Sequence, residues 1–585
     1  MFGKIIAIDN DLITVSNTTH VAESSVLNYH VILTENNRRV IGEIIGIDEE
    51  SIKINLLGEI INDQFKKGVS KKPSTNCQIR LIYKSEVEFV LGKQDISSKD
   101  TLLLGKSSIY DGYNISVSLN DFFSSHFAIL GNSGAGKSCG VASIIQNIFY
   151  YNDTASPVNA HLVLFDAYGE YNKALNKINQ LPNLGYKYYT TNTTFSDAEI
   201  IKFPAYFLEV DDLALLLNCT SSTHLPLLEK TLRYVYIFKS EDEAISEYKN
   251  DIIARCLLDI LSSGKSATQM RDQIIAVLSK YNTETLNLDT LVYQPGYNRK
   301  LSQCLNIDNQ GKMNAIGFVI ELLQEYADQD INEIKYEKDV VYNLDDLYYA
   351  LEFALLSEGV YTDETTYEAY NQIKVRLNAI INSPTKQFFE VDKLIGKSDY
   401  IKEFFTTVDR RPAQIVNINI NYIDDRMAKI LTKIYAKLFF NYTTNLLNRG
   451  SFPIHIILEE AHRYVQNDND INIIGYNIFD RIAKEGRKYG TILGFITQRP
   501  SELSETALSQ CANVIVFRMF HPADLSIISN ISANVSAQDI EKIKTFPSGM
   551  ALTFGTAFKI PLMTKFNLPN PLPVSNNIDV EKTWF

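Results

Sequence analysis

A glycine-rich loop followed by lysine and serine is the part of this sequence that most directly indicates chemistry. The pattern G-x-x-x-x-G-K-[ST] is complete at Gly131, Gly136, Lys137 and Ser138. Glycines let the backbone fold closely around a polyphosphate, so that successive N–H groups face its oxygens. In such loops the lysine reaches the β- and γ-phosphates, and the serine hydroxyl binds Mg²⁺. The motif predicts a nucleotide site formed by consecutive residues: Gly131, Asn132, Ser133, Gly134, Ala135, Gly136, Lys137, Ser138 and Cys139.

A second stretch combines a buried strand with two carboxylates. Four of the five residues Ile454–Leu458 are apolar, and Glu459 and Glu460 follow directly. This is the Walker B pattern, in which an acidic strand tip reaches Mg²⁺ and the attacking water. We expect Glu459 at the Mg²⁺-associated position and Glu460 as the base that orients or deprotonates the water. A strand that merely ends in exposed charge is the alternative, which a complete phosphate loop elsewhere in the chain disfavours.

Two further strand tips carry polar side chains. Asp166 ends the apolar run from His161 to Phe165, and Glu170 follows four residues later. Ligands bind at the carboxyl ends of strands in open α/β sheets, so these carboxylates could arrange Mg²⁺ or water. Capping of the next helix explains the same spacing equally well. Gln498, after the predicted strand Thr491–Thr497, is suited to sensing the γ-phosphate because its amide both donates and accepts hydrogen bonds.

The elements that must position these side chains follow from hydrophobic patterns. An apolar strand, Phe127–Leu130, precedes the loop, and apolar residues at helical spacing follow it, so the positive end of a helix dipole faces the phosphates. A strand at Ala413–Ile420 and a helix at 471–488 flank the Walker B strand on either side in the sequence. Strands alternating with helices predict an α/β core.

The chain is long enough for three or four domains, which we divide by composition and pattern. Residues 1–95 contain short strands separated by turns, a pattern that predicts a small β-barrel. We expect this domain to act in assembly. Residues 96–200 and 401–565 form the two parts of the nucleotide-binding core, the first beginning with a link at 96–120. Residues 201–400 are read as a helical insertion, and 566–585 as an extended tail with prolines and terminal aromatic residues.

Composition narrows the functional classes. Hydrophobic residues make up 45% of the chain and charged residues 21%, which is ordinary for a globular protein. The net charge of −13 argues against broad coating of nucleic acid but permits a basic channel within an acidic shell. Six separated cysteines without a C-x-x-C pair fit a reducing cytoplasm. No apolar run approaches the length of a membrane span, so we expect a soluble cytoplasmic protein without a membrane partner.

Taken together, these motifs resemble those of HerA-type ATPases, in the HerA–FtsK branch of P-loop motors. The resemblance extends over nearly the whole chain. Its most specific part is Glu485–Gly490 followed by Gln498-Arg499-Pro500-Ser501. The remaining parts are spread along the sequence: Gly42–Gly46 in the barrel, His126–Gly131 before the loop, Asp166 with Gly169-Glu170-Tyr171, Glu460-Ala461-His462, and Pro547-Ser548-Gly549.

The resemblance implies a RecA-like core in a homohexameric ring that moves double-stranded DNA with ATP and Mg²⁺. It implies catalytic roles for Glu460, Lys137, Gln498 and Arg487, with Arg487 acting on the neighbouring subunit's nucleotide. Arg481 and Arg518 are second choices, and a surface ion pair is the alternative explanation for Arg487. The implied metal ligands are three: Ser138, Glu459 and Asp166. Glutamate at 459, where aspartate is more usual, favours contact with Mg²⁺ through water.

Relatives of this type act with partners, which gives two functional readings. A NurA-like nuclease is implied in DNA end processing, and nucleases or sirtuin-like NAD-degrading effectors are implied in anti-phage defence. The first reading is a DNA translocase. The second is an ATP-dependent scaffold ring that assembles an effector without useful translocation. A conjugation or secretion ATPase shares the motor core, but the predicted barrel and the lack of a membrane segment count against it.

Overall fold

A computed structural model describes residues 2–18, 26–94, 96, 98–150, 156–194, 198–313, 315–327, 340–358, 364–391, 393–532, 535–574 and 580–584, without the side chains of 243, 244, 246, 358 and 364–367. The strands are β1 Ile5–Asp9, β2 Leu12–Ser16, β3 His30–Glu35, β4 Arg38–Ile47, β5 Ser51–Ile61, β6 Gln64–Lys67, β7 Gln78–Leu81, β8 Thr101–Ser107, β9 Asn114–Ser118, β10 Phe127–Leu130, β11 Leu162–Asp166, β12 Tyr186–Thr190, β13 Glu199–Ile200, β14 Leu291–Gln294, β15 Tyr297–Lys300, β16 Ile415–Asn419, β17 Ile454–Glu459, β18 Thr491–Thr497, β19 Asn513–Phe517, β20 Met550–Gly555 and β21 Leu562–Phe566.

The helices are α1 Glu88–Leu91, α2 Leu119–Phe123, α3 Lys137–Tyr150, α4 Asn172–Leu175, α5 Val210–Leu216, α6 Leu225–Lys239, α7 Glu243–Ser262, α8 Ala267–Lys280, α9 Leu301–Cys304, α10 Ile316–Tyr326, α11 Leu344–Glu358, α12 Glu364–Ile381, α13 Lys397–Phe404, α14 Asp425–Thr444, α15 Asp470–Ile474, α16 Ile478–Glu485, α17 Glu505–Ser509, α18 Pro522–Ile531, α19 Ala537–Ile543 and α20 Val580–Trp584. No helix in these described ranges has both the length and the apolar character needed to cross a bilayer.

One large sheet positions the predicted site. Its order is β13-β12-β16-β11-β17-β18-β10-β19-β20-β21-β8-β9, and the strands from β13 to β19 are parallel. Strand β10 lies between β18 and β19, with Leu130 in register with Thr497 and Val516. Strands buried on both faces read as continuous apolar runs, which is why the sequence revealed them. Because parallel strands end at the same edge, the loop after β10 and the carboxylates after β11 and β17 meet there. The α/β core is confirmed.

The amino-terminal strands form a separate antiparallel sheet in the order β1-β2-β5-β4-β3-β7, with β6 paired to β5. A hydrogen bond from the Phe2 N–H to the Ile79 carbonyl, 3.2 Å, brings its two ends together. Pairing of β4 with β5 shifts register at Gly42 and again before Gly46. A Cβ at Gly42 would lie 2.5 Å from the Ile54 side chain, so the strand bends where only glycine fits. This curled sheet is consistent with the predicted barrel.

Two local expectations were wrong. Residues 96–120 are not a simple link, because β8 and β9 lie within them and extend the core sheet beyond β21. The helix expected over 471–488 is broken into α15, α16 and a short 3₁₀ turn. Gly475 has a left-handed φ of +86° and ends α15. The Asn477 side chain then caps α16 by accepting from the Phe479 and Asp480 N–H groups.

Between β13 and β16 the described chain is mainly helical, from α5 to α13, with the β14–β15 hairpin among the helices. Helices α6 and α11 pack against each other, and their apolar residues join the same core as the large sheet. Residues 570–574, after β21, bond to the core of the same chain, whereas residues 580–584 of the predicted extended tail form the helix α20. The Asn570 N–H donates to Gln146 Oε1, the Gln146 amide donates to the Pro571 carbonyl, and the Val574 N–H donates to the Glu170 carbonyl, all at 2.8–2.9 Å. Residues 575–579 and 585 of the predicted tail lie outside the described residues.

Candidate nucleotide site

The phosphate loop follows β10 and is fixed from outside by the residues Pro547–Gly549. The Gly549 N–H donates to the Ala135 carbonyl at 2.9 Å, and the Ser548 hydroxyl donates to the Gly134 carbonyl at 3.1 Å. Gly136 has φ +103°, and a Cβ there would lie 2.7 Å from the Gly549 nitrogen. Both its backbone conformation and its contact therefore require glycine. The loop is therefore bonded to a segment more than 400 residues away in the sequence.

Lys137 is the first residue of α3 and is buried. Its Nζ donates to the Asn132 carbonyl at 3.1 Å, within the loop itself. Burial lowers the pKa of Lys137, and the carboxylates of Glu460 and Glu459 oppose that change. The ammonium thus lies between a loop of the kind that cradles phosphate and a group of acids. An anionic phosphate in the loop would complete its coordination.

Glu459 ends β17, and its side chain is buried against the turn after β11. Its Oε2 accepts from the Ala167 N–H at 2.9 Å. Burial raises the pKa of Glu459 well above its usual range, and the charges of Asp166 and Glu170 raise it further. Glu170 also has a raised pKa, because burial outweighs a hydrogen bond with Ser138. Three carboxylates are therefore clustered beside Ser138, which is the electrostatic environment that a divalent cation neutralises.

Glu460 has a backbone conformation that is rare for glutamate, with φ +49° and ψ +46°. Its side chain is buried, with the residue 6% exposed, and Oε2 makes no hydrogen bond to the described residues. The His462 Nδ1 lies 3.3 Å from this oxygen, outside hydrogen-bonding geometry. Burial raises the pKa of Glu460, and the positive charge of Lys137 opposes the rise. A strained residue with an unpartnered buried oxygen is the arrangement expected of a group that holds a reacting water.

Asp166 has a different environment from the two glutamates. Its Oδ1 accepts from the N–H groups of Gly169 (2.7 Å) and Glu170 (3.0 Å), and its Oδ2 accepts from Tyr171 N–H at 3.0 Å. Asn417 Nδ2 also donates to Oδ2, at 3.3 Å. These bonds favour the interpretation that Asp166 caps the following turn. Direct binding of Mg²⁺ by Asp166 stays a prediction.

The tip of β18 connects to Glu460 through side chains that the sequence did not single out. Thr497 Oγ1 accepts from the Arg499 N–H at 3.0 Å and lies 2.9 Å from His462 Nδ1. The backbone N–H of the next residue, Gln498, hydrogen bonds to the Glu460 carboxylate. This bond opposes the rise that burial causes in the pKa of Glu460. Burial lowers the pKa of His462, which favours the neutral ring. In the sequence, His462 stands out only as part of the motif Glu460-Ala461-His462. Thr497 could have been predicted from its hydroxyl at the end of a strand.

The three candidate arginines lie in different places. Arg487 is exposed in the turn before β18, at the sheet edge opposite the phosphate loop. Strand β18 has seven residues, so this edge is about 20 Å from the loop at about 3.3 Å per residue. Arg481 lies over the rings of Phe440 and Tyr476. Arg518 follows β19 beside the loop, where its carbonyl accepts from the Asn132 N–H at 2.9 Å.

Within the described residues, no group of three or more histidine, cysteine, aspartate or glutamate side chains is arranged to hold a metal unaided. Mg²⁺ in nucleotide sites is usually bound by one or two protein oxygens together with phosphates and water. Ser138 lies at the end of the loop and Glu459 at the tip of β17, and both carry oxygen donors. The donor set therefore fits a nucleotide-bound Mg²⁺ rather than a separate metal centre.

Comparison with known proteins finds relatives among the HerA helicases. Residues 103–318 match the family model described as "Helicase HerA, central domain". The DNA double-strand break repair helicase HerA of Pyrococcus furiosus is 24% identical over 528 residues, covering 90% of this chain and 79% of that protein. The HerA of Sulfurisphaera tokodaii is 27% identical over 190 residues, covering 30% and 38% of the two chains.

Similar solved structures include VirB4 of Thermoanaerobacter pseudethanolicus, with a TM-score of 0.40, 13% identity and coverage of 80% of this chain and 96% of that chain. The plasmid coupling protein TrwB in complex with ADP and Mg²⁺ has a TM-score of 0.41, 10% identity and coverage of 85% and 95%. The resemblance predicted from the motifs is confirmed by the sequence relatives. The chain is a P-loop ATPase that is similar to the HerA helicases.

Proposed function

We propose that this ATPase is a motor that moves double-stranded DNA by hydrolysing ATP. The observation that carries the proposal is that Lys137, Glu459 and Glu460 lie together at one edge of a parallel sheet. The phosphate loop at this edge is bonded to Gly549. DNA is inferred from the relatives, which are named as DNA double-strand break repair helicases. The aligned region covers most of this chain and of the Pyrococcus protein, which supports a shared activity.

ATP and Mg²⁺ fit the residues of the site. The loop backbone and Lys137 would hold the β- and γ-phosphates, and Ser138 and Glu459 would hold the metal, directly or through water. When bound, Mg²⁺ would neutralise negative charge that develops during phosphoryl transfer. Burial raises the pKa of Glu459, and the charges of Asp166 and Glu170 raise it further, which supports a cation at this point.

Glu460 would orient the attacking water and accept its proton. Its Oε2 makes no hydrogen bond to the described residues, although His462 Nδ1 lies 3.3 Å away, so this oxygen is available to a water. The Gln498 N–H holds the same carboxylate, and Thr497 and His462 fix the strand tip around it. The Gln498 side chain, next to this bond, is our candidate for contact with the γ-phosphate.

A homohexamer explains the position of Arg487. An arginine about 20 Å from its own phosphate loop cannot reach that nucleotide, but a neighbouring subunit can present it. Arg518, which lies beside its own loop, is better placed for contact within the subunit. We propose further that the ring works with a separate nuclease or other effector, in DNA end processing or anti-phage defence, as the whole-chain resemblance to HerA implies.

Steady-state ATP hydrolysis with and without linear double-stranded DNA tests the proposal. We expect strong stimulation by DNA, and Glu460→Gln provides the blank for contaminating ATPases. Hydrolysis that is indifferent to DNA would refute the translocase and favour the scaffold ring. Absence of hydrolysis under all conditions would refute both the motor and the assignment of Glu460.

A further inference from the structure

The barrel carries a short, strongly basic segment in an otherwise acidic protein. Residues 64–72 contain four lysines and no acidic residue, whereas the whole chain has a net charge of −13. Strand β6 lies within the segment and pairs only with β5, so it is an edge of the sheet. Lys66, Lys67 and Lys71 are exposed. A cluster of positive charge creates a local potential that attracts negatively charged ligands.

The shape of this segment is fixed by a buried carboxylate beneath it. Glu59 on β5 accepts from the Ser70 N–H at 2.6 Å and from the Ser70 hydroxyl at 2.9 Å. The same carboxylate pairs with Arg38. The hydrogen bonds from Arg38 and Ser70 lower the pKa of Glu59 to about 2, so this anchor stays ionised. The lysines after β6 are therefore presented on a fixed turn rather than on a free loop.

The acidic side chains nearby are taken up by other cations. Glu59 pairs with Arg38, Asp63 with Arg39, and Asp11 with Lys72. Within the described part of the chain, Lys66, Lys67 and Lys71 have no carboxylate within ion-pairing distance. Lys71 acts on Glu35 only as a minor contributor to the lowered pKa of that exposed acid. Three positive charges are left unneutralised on one edge.

This charge continues onto the ATPase core. Lys67 Nζ donates to the Gly555 carbonyl at 2.6 Å, and Lys559 Nζ donates to the Glu88 carbonyl at 3.1 Å. Both lysines line a cavity of about 360 Å³ between the barrel and the core. Lys93 also lines it but is paired with Asp100. We call the four side chains without a carboxylate partner, Lys66, Lys67, Lys71 and Lys559, the basic strip.

We propose that the basic strip contacts the phosphate backbone of double-stranded DNA. The inference rests on the proposed motor function and names a DNA-contacting surface for it. Lysine is a flexible point charge that binds phosphate without reading sequence, as a motor requires. Between residues 62 and 82 no large apolar side chain is exposed, and the exposed ones that border this range are Ile61 and Tyr83. Charge therefore dominates the strip, which favours phosphate over the apolar anchors typical of protein or membrane contacts. Protection of the β6 edge against aggregation is the competing role for these lysines.

The test measures binding of the full-length protein to fluorescent linear duplex DNA between 50 and 200 mM salt. The variant carries Lys66→Gln, Lys67→Gln and Lys71→Gln. The control carries Lys4→Gln, Lys53→Gln and Lys84→Gln, which remove the same charge from exposed positions in the same domain. The slope of log K against log salt is negative, and each lost phosphate contact makes it less steep by about 0.9. We expect a slope that is less steep by about 2–3 in the variant and unchanged in the control, with normal ATPase activity in the absence of DNA.

Several outcomes would overturn the proposal and are distinguishable from failure of the motor. If the natural protein binds DNA and is stimulated by it, but the variant has the same salt slope, the strip does not contact DNA. Aggregation of the variant with an unchanged slope would assign the lysines to edge protection. If the natural protein neither binds DNA nor responds to it, the motor function itself fails. A Lys66→Gln, Lys71→Gln double variant keeps the Lys67 bond to Gly555 and guards against loss of folding.

Discussion

Replacing Thr497 with valine tests whether the strand tip positions the catalytic carboxylate. Valine has nearly the same shape but no hydroxyl, so it removes the contacts of Thr497 with the Arg499 N–H and with His462 Nδ1. A polar group left without a partner costs about 1–3 kcal/mol. Both groups lie near solvent, so we expect a total loss of about 2 kcal/mol in the free energy of unfolding. The phosphate loop is untouched, and the KM for ATP should not change.

The effect on turnover distinguishes positioning from mere stability. Once His462 and the β18 tip are released, the Gln498 N–H no longer holds Glu460 in place, and we expect kcat to fall about tenfold, which corresponds to about 1.4 kcal/mol in the barrier. Thr491→Val is the matched control, because Thr491 is buried at the other end of β18 and bonds to Thr443 at 2.7 Å. Thr497→Ser should restore kcat. Equal kcat values for the two valine variants would refute the positioning role.

Four other changes have defined outcomes. Lys137→Ala should weaken ATP binding at least about tenfold in a titration, because hydrogen bonds to charged groups contribute about 1.5–3 kcal/mol; unchanged affinity would remove the nucleotide site. Glu460→Gln should bind ATP normally but hydrolyse it about 10²–10⁴-fold more slowly, the usual contribution of a general base, and near-normal turnover would mean that another group activates the water. Gly136→Ala should abolish ATP binding, since its methyl group would meet Gly549. Gly134 has open space around it at φ +69°, so Gly134→Ala should lower the free energy of unfolding by only about 1–2 kcal/mol and keep ATP binding. Equal loss of ATP affinity in the two variants would contradict the steric reason. Burial lowers the pKa of His161 to about 4 from 6.5, so the unfolded chain binds more protons between these pH values and stability falls as the pH drops through them. The decrease in unfolding free energy from pH 7 to pH 5 should be about 2 kcal/mol smaller in His161→Phe, and an equal decrease would place the ring in solvent.

The parts of the fold that sequence predicted are those whose signal is local. Strand β10, the phosphate loop and α3 are contiguous, and each has a hydrophobic period or a glycine requirement that can be read directly. Strand β17 with Glu459 and Glu460 is equally local. Strands β8 and β9 pair with each other, and they were missed because β21, which joins β8 to the core sheet, lies more than 450 residues later. An edge strand of this kind has no distinguishing pattern until its neighbour is known.

In the site, too, the features that sequence predicted are local and those that it missed join distant segments. The side chains of Lys137, Glu459 and Glu460 were predicted with the strand or loop that carries each of them. The contacts that shape them were not, because each joins distant segments: Gly549 to the loop, Thr497 to His462, and the Ala167 N–H to Glu459. Asp166 illustrates the limit of spacing as a guide. The same position in sequence suits a metal ligand and a turn cap, and only its four hydrogen bonds to the Gly169, Glu170 and Tyr171 N–H groups and to the Asn417 amide distinguish them.

Arg487 can serve catalysis only if a second copy of the chain is involved. The motif Glu485–Gly490 is the most specific part of the resemblance to HerA, yet the fold places Arg487 at the edge of the sheet opposite the phosphate loop. Strand β18 is rigid and buried along its length, so no rotation of side chains closes a gap of about 20 Å. If Arg487 serves catalysis, it does so on a neighbour's nucleotide. Mixing Arg487→Ala with Glu460→Gln subunits should then restore hydrolysis at those interfaces that pair an intact Glu460 with an intact Arg487, and the absence of any such recovery would place Arg487 outside the site.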